Sequence, residues 1–156
     1  MPRISRAQPI FSVIGSKAIH VGAAGQGSMI KLVINGIMGA GMVALAETIG
    51  YGLAAGLDRD RLFETLDALA VISPHHKRKL QHARTGDYAP KFPTRLMHKD
   101  VAMLVDAAAA AGLPVATIAG VSQSLALSPP EHDDRDYAAL IGVMAHLGES
   151  LAARRR

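Results

Sequence analysis

The residues best able to do chemistry fall between positions 22 and 35. Gly22, Gly25 and Gly27 form G-x-x-G-x-G, and Ser28, Lys31 and Asn35 follow at spacings of three and four. On a helix that spacing puts all three side chains on one face. Glycines before a helix supply unusual backbone angles and often mean only a tight turn. The pattern also differs from the dinucleotide fingerprint G-x-G-x-x-G: its order is reversed, and no acidic residue ends a second strand of a βαβ unit downstream.

Lys31 is the unusual member of the set. It stands near the positive end of a helix dipole, in apolar sequence, and the first acidic residue of the chain is Glu47. Both effects disfavour an ammonium group and point to a general acid or base, or to a cation that holds a substrate carboxylate. The alternative is a lysine that snorkels from the helix end into solvent. A second candidate is the like-charged i,i+4 pair Arg95 and Lys99, beside His98 and Asp100. An anion or a carboxylate between the two cations would relieve them, and an ordinary solvated face with Asp106 nearby is the other reading. His75, His76 and His82 lack ligand spacing and there is no cysteine to join them, so no metal site is expected. Ser122, Ser124 and Ser128 read as ordinary helix and cap residues.

The elements that must position these groups are helices. The chain has 156 residues, 49 % hydrophobic but only 4 % aromatic and without Trp, so Ala, Leu, Val, Ile and Met must build the interior of one ordinary domain. That palette favours an all-α bundle, built here around one long buried helix. Residues 1–21 lack helical period, and Ala18 to Val21 looks like a short extended segment feeding the glycine turn. From Ser28 to about Ala55 the sequence is apolar nearly all round, as in a helix at the centre of a bundle. Gly36, Gly39, Ala40 and Gly41 would let neighbours approach its backbone. Its uncharged run, Leu32 to Ala46, would reach roughly 22 Å, short of the ~30 Å hydrocarbon core of a bilayer, so no membrane is expected.

Gly56 and Asp58 mark the end of that helix and the start of a second, running through Leu62 and Leu66 to Leu69. Ser73-Pro74 starts a third, to about Arg84. A fourth, Thr94 to Ala111, buries Met97, Val101, Leu104, Val105 and Ala108 and ends at Gly112. Pro114 opens a fifth, to about Leu127, and a last helix covers Tyr137 to about Ala153. Much of the net charge of +4 sits in His75-His76-Lys77-Arg78-Lys79 and Arg154-Arg155-Arg156. Neither run carries interleaved aromatics for stacking bases, so a solvated helix face and cations at a helix C-terminus are expected, and no nucleic acid. Arg3, Arg6 and Lys17 could be mistaken for an organellar presequence, whereas Pro9 to Gly15 is too short and broken for a secretory core. The lack of cysteine suits a reducing cytoplasm.

Three ordered motifs carry a family resemblance: Gly22-x-x-Gly25-x-Gly27-x-x-x-Lys31-x-x-x-Asn35, Ala54-Ala55-Gly56-Leu57-Asp58, and Phe92-Pro93-x-x-Leu96-x-x-Lys99-Asp100. The set resembles the β-hydroxyacid dehydrogenases, the group of 3-hydroxyisobutyrate dehydrogenase, tartronate semialdehyde reductase and glyoxylate/succinic semialdehyde reductases, over about residues 8 to 147. Asp136-Tyr137-Ala138-Ala139 is similar to that family's late Asp-aromatic-Ser-Ala segment, with Ala138 in place of Ser.

The resemblance implies a bundle like the C-terminal domain of 6-phosphogluconate and 3-hydroxyisobutyrate dehydrogenases. Residues 22–156 would form a substrate and dimerisation domain, and 1–21 a tail or linker from an N-terminal Rossmann domain that this chain lacks. Lys31 would be the proton donor or acceptor; Gly22, Gly25, Gly27 and Asn35 would lie at the substrate; Lys99 and Phe92 would border the nicotinamide end of NAD or NADP. The implied substrate is a small hydroxyacid or semialdehyde, the implied partner a second copy of the chain, and the chain by itself would hold the cofactor weakly and be catalytically silent. An imine-reductase-like relative is disfavoured by Lys31 at the catalytic position. A non-catalytic helical module that contacts acidic partners through Pro74 to Arg84 is the competing expectation.

Overall fold

The computed structural model describes residues 2–155, and side chains from Arg6 onward. Met1, Arg156 and the Arg3 side chain named above lie outside the described residues. The order is α1 (Pro2–Ile14), α2 (Gln26–Ala54), α3 (Arg59–Ala68), α4 (Pro74–Thr85), α5 (Thr94–Ala110), α6 (Ala116–Ala126), a 3-10 turn (Pro130–His132) and α7 (Ala139–Ala153). Among the described residues there is no strand, only an isolated antiparallel bridge between Pro93 and Asp136. The all-helical class is as the composition indicates.

The chain forms two compact units, residues 1–31 and 32–156. The first holds α1, the glycine turn and the opening turns of α2. A helix at Pro2–Ile14 corrects the expectation of an irregular tail, and Ala18 to Val21 pairs with no strand. The physical reason is that hydrophobic periodicity reports burial, and α1 leaves Ile10, Phe11, Val13 and Ile14 exposed.

In the second unit the core is Met42, Ile49, Phe63, Leu80, Met97, Val101, Tyr137 and Ile141, all essentially inaccessible to solvent. Its centre is the C-terminal part of α2. A Cβ on Gly148 would come within 2.3 Å of the Gly50 carbonyl oxygen, so close helix approach does require that glycine, whereas one on Gly36 would meet only the movable tip of the Leu104 side chain, at 2.5 Å. The burial expected for the whole helix begins only at Asn35 and is one-sided beyond it, with Tyr51 also exposed. Met29, Ile30, Val33, Ile34 and Ile37 are all exposed. At 29 residues α2 is also longer than its uncharged run indicated. By length and composition it could cross a membrane, with 39 % of its apolar window buried inside the chain.

Local signals set the other boundaries. Gly56 (φ 93°) ends α2 with Gly56 N–H to Leu53 O and Leu57 N–H to Gly52 O, both 3.0 Å. Asp58 and Ser73 cap α3 and α4 through their side chains, Pro74 occupies the first turn of α4, and Gly86 (φ 70°) closes it. The helix α5 packs on α6, and α4 against α3 and α7. Of its expected apolar stripe Met97, Val101 and Ala108 are buried, whereas Leu104 and Val105 are half-buried.

Candidate active site

The glycine turn shapes the start of α2. Gly22 (φ 132°) and Gly25 (φ 92°) adopt backbone angles that disfavour other residues, and a Cβ at Gly22 would meet the Gln26 side chain. That side chain accepts the Ala23 N–H at 3.0 Å, and Gly25 O accepts the N–H groups of Ser28 and Met29. Gly27 lies in the first helical turn. Lys31 is exposed and closes the first unit, one helical turn before Asn35 along α2.

In the second unit Asn35 is buried and its Nδ2 donates to Asp100 Oδ2 at 2.7 Å. Lys99 Nζ reaches the other oxygen of the same carboxylate at 2.9 Å. Asp100 is only 2 % exposed, while more than half of the Lys99 side chain faces solvent. The structure therefore joins Asn35 and Lys99 through a carboxylate. The like-charged pair on α5 is relieved from within, because Arg95 Nε has its own acid, Asp134 Oδ1, at 2.7 Å.

Phe92 is held by a different carboxylate. Its N–H donates to Asp136 Oδ2 at 3.1 Å, and its half-buried ring meets Tyr137 edge-on at 6.0 Å. Asp136 is fully buried and bonds Lys79 Nζ through both oxygens, at 2.8 and 2.6 Å. Burial alone would push the Asp136 carboxyl up, but the Lys79 ammonium and the backbone N–H groups of Ala138 and Phe92 outweigh it and hold it below the usual range.

The expectation that His75 to Lys79 form a solvated basic face is corrected here. Lys79 is buried, and its ammonium lies 4.6 Å from the centre of the Tyr137 ring. His76 Nε2 donates to Met38 O at 3.1 Å, which leaves Nδ1 to accept the Ser73 hydroxyl at 2.8 Å. His75 Nε2 hydrogen-bonds the Tyr137 hydroxyl. Burial, then the His76, Lys79 and Arg78 charges, lower the His75 pKa, with Asp136 opposing, while burial pushes the Tyr137 phenol up. Among the described residues no three His, Asp or Glu side chains gather to hold a metal ion.

The profile of the family described as "NAD-binding of NADP-dependent 3-hydroxyisobutyrate dehydrogenase" matches residues 25–144. The chain belongs to this family. Glyoxylate/succinic semialdehyde reductase 1 of Arabidopsis thaliana is 32 % identical over 139 residues, 85 % of this chain and 46 % of the relative. A probable 3-hydroxyisobutyrate dehydrogenase of Mycobacterium tuberculosis is 28 % identical over 145 residues, 88 % of this chain and 49 % of the relative. A solved structure of M. tuberculosis 3-hydroxyisobutyrate dehydrogenase with L-serine superposes with a TM-score of 0.79 at 26 % identity, over 90 % of this chain and 51 % of that one. The chain thus spans about half the length of the curated relatives it matches.

Within this NAD(P)-binding hydroxyacid dehydrogenase family, two carboxylates organise the expected residues, and although both stand in the sequence motifs neither was given that joining role from sequence. Asp100 had a signal: at three residues after Met97 and one before Val101 it stands in the apolar stripe of α5, where a carboxylate must have partners. Asp136 had a weaker one, since it closes an acidic loop, Glu131 to Asp136, whose other carboxylates read equally as solvated.

Proposed function

We propose that this chain is the helical substrate and dimerisation half of an NAD(P)-dependent 3-hydroxyacid dehydrogenase, in which Lys31 is the general acid/base. The observation that carries the reading is the Asn35–Asp100–Lys99 cluster, in which the buried Asp100 joins a buried Asn35, four residues after Lys31 in sequence, to a solvent-facing Lys99. The family profile runs through all four residues and Phe92.

Lys31 accepts the hydroxyl proton as the substrate carbon is oxidised, and returns it to the developing alkoxide in reduction. Asn35, fixed by Asp100, holds the substrate or the lysine in place, and the turn at Gly22, Gly25 and Gly27 lets substrate approach the backbone. The residues present fit a nicotinamide cofactor: Phe92 offers a half-buried apolar ring and Lys99, seven residues further along the chain, a solvent-facing cation. They border the nicotinamide end. When bound, NAD or NADP supplies the hydride acceptor or donor, and the protein supplies orientation and the proton. The substrate is a small hydroxyacid or semialdehyde, and the setting a reducing cytoplasm.

Lys31→Ala in the full-length enzyme should cut turnover by about a hundredfold or more, the usual weight of a positioned acid/base. Near-normal turnover in that variant sinks the reading. The exposed row Met29, Ile30, Val33, Ile34 and Ile37 further supports a partner seated on α2, in the first instance a second copy of the chain. It is favoured over the basic helix α4 as a contact surface, since α4 turns His76 and Lys79 inward. A dimer that Ile34→Glu converts to monomer by size-exclusion and light scattering is the expected result; a wild-type monomer at high concentration counts against it.

A further inference from the structure

The Lys79–Asp136 pair is buried on both sides. Well-packed apolar residues often hold a core as well as a buried ion pair does, so the pair's presence is better explained by the other bonds it makes. Asp136 Oδ2 accepts the N–H groups of Lys91 and Phe92 at 3.2 and 3.1 Å, Oδ1 accepts that of Ala138 at 3.0 Å, and Lys79 Nζ bridges both oxygens. Backbone bonds sew down the same segment: Asp136 N–H to Tyr88 O, Tyr137 N–H to Phe92 O and Thr94 N–H to Arg135 O, at 3.0, 3.1 and 2.9 Å. Residues 88–93 have no helix of their own, and this carboxylate takes the place of one. The same segment delivers Phe92 and then Pro93, from which α5 starts toward Lys99 and Asp100.

We propose that Lys79 and Asp136 are positioning residues for the dehydrogenase reaction: they fix the strap 88–93, and through it the Phe92 ring and the first turn of α5, at the nicotinamide end of the site. The proposal rests on the reading of Phe92 and Lys99 as the cofactor border. Lys79 acts from α4 without reaching the site, since its ammonium is spent on Asp136 and lies against the Tyr137 ring. Neither residue is a catalytic one.

The test uses Asp136→Asn and, because that change strands Lys79 in the core, the charge-free double variant Lys79→Met/Asp136→Asn. In the present chain, hydrogen exchange should speed up by about tenfold or more at the Lys91 and Phe92 amides while the Ile49 and Val101 amides keep their protection. In the full-length enzyme the folded variants should raise the KM for NAD(P) about tenfold and leave the KM for the hydroxyacid within about twofold. Unchanged exchange at residues 91 and 92, or faster exchange with an unchanged cofactor KM, overturns the proposal. Near-normal turnover in Lys31→Ala would instead remove the functional reading, and the exchange experiment would still decide whether the pair holds the strap.

Discussion

Two Lys–Asp pairs organise this domain, and they differ in how far each is closed to solvent. Lys79 and Asp136 are both sealed from solvent, and the carboxylate is saturated by an ammonium and three backbone N–H groups. Lys99 and Asp100 share only the buried acid: the Lys99 side chain is 56 % exposed, and Asn35 takes the other oxygen. A pair closed on all sides can only hold geometry. A pair open at its cationic end still has a charge to offer to something outside.

The sharpest way to break this contrast is to remove the closed acid. Asp136→Ala leaves Lys79 as an uncompensated charge in the core and frees three backbone donors, which should cost about 3–5 kcal/mol. For a chain of this size that is a fall in Tm of about 10 °C or more, measured by circular dichroism. A fall of only a degree or two would mean that water reaches Lys79 and that the pair is not closed.

Asp100→Ala should come next. It strips the acceptor from a buried Asn35 amide, a loss of about 1–3 kcal/mol, while Lys99 can turn to water. Asp100→Asn keeps an acceptor oxygen and should lose less than half as much in the same melt. Equal losses from the two variants would assign the stability to the Lys99 charge rather than to the Asn35 bond.

The sequence made one of these regions far more legible than the other. Helix boundaries announced themselves through local chemistry, as at Asp58, Ser73-Pro74, Gly86 and Gly112, because caps depend on a few neighbouring residues. Lys31, Asn35, Phe92, Lys99 and even Asp100 and Asp136 were legible in ordered motifs, but the pairings that the two carboxylates make were not, since Asn35 and Asp100 meet across 65 positions and Lys79 and Asp136 across 57. Charge in a run looks solvated until folding shows which member turns inward, and Lys79 is the member of His75 to Lys79 that does so most completely. The same limit hid α1, whose described side chains, from Arg6 onward, form no buried stripe to read, and it made all of α2 look like core. Apolarity tells that a surface should be covered, not by which polypeptide.

The closed region should also be the one that responds to mild acid. Burial and the neighbouring cations hold the His75 pKa below the 6.5 of an unfolded chain, despite the opposing Asp136. Below pH 6.5 the unfolded chain therefore binds more protons than the folded one, so stability falls as pH drops from 6.5 through the folded value; above 6.5 the group contributes nothing. His75→Gln should flatten the decline of Tm with pH in that window, by less than the Asp100→Ala loss. Asp136 acts lower, its contribution being present above the ordinary carboxyl pKa of 3.8 and lost as pH falls through the depressed folded value. An unaltered slope in His75→Gln would place the acid sensitivity outside the Lys79–Asp136–Tyr137 network.

The smallest effect belongs to the open cation. Lys99→Met removes a charge that is already more than half solvated, and Asp100 keeps its bond to Asn35, so the change should cost about 0.2–1 kcal/mol, as for other exposed pairs. Lys79→Met strands Asp136 at 0 % exposure and should cost several times more. Salt sharpens the comparison. At 1 M, where the Debye length is about 3 Å, the Lys99→Met difference should vanish into the error of the melt while the Lys79→Met difference persists, because solvent ions do not reach the buried pair. If the two lysines cost the same and respond to salt alike, Lys99 is as structural as Lys79 and has no charge to spare for a ligand.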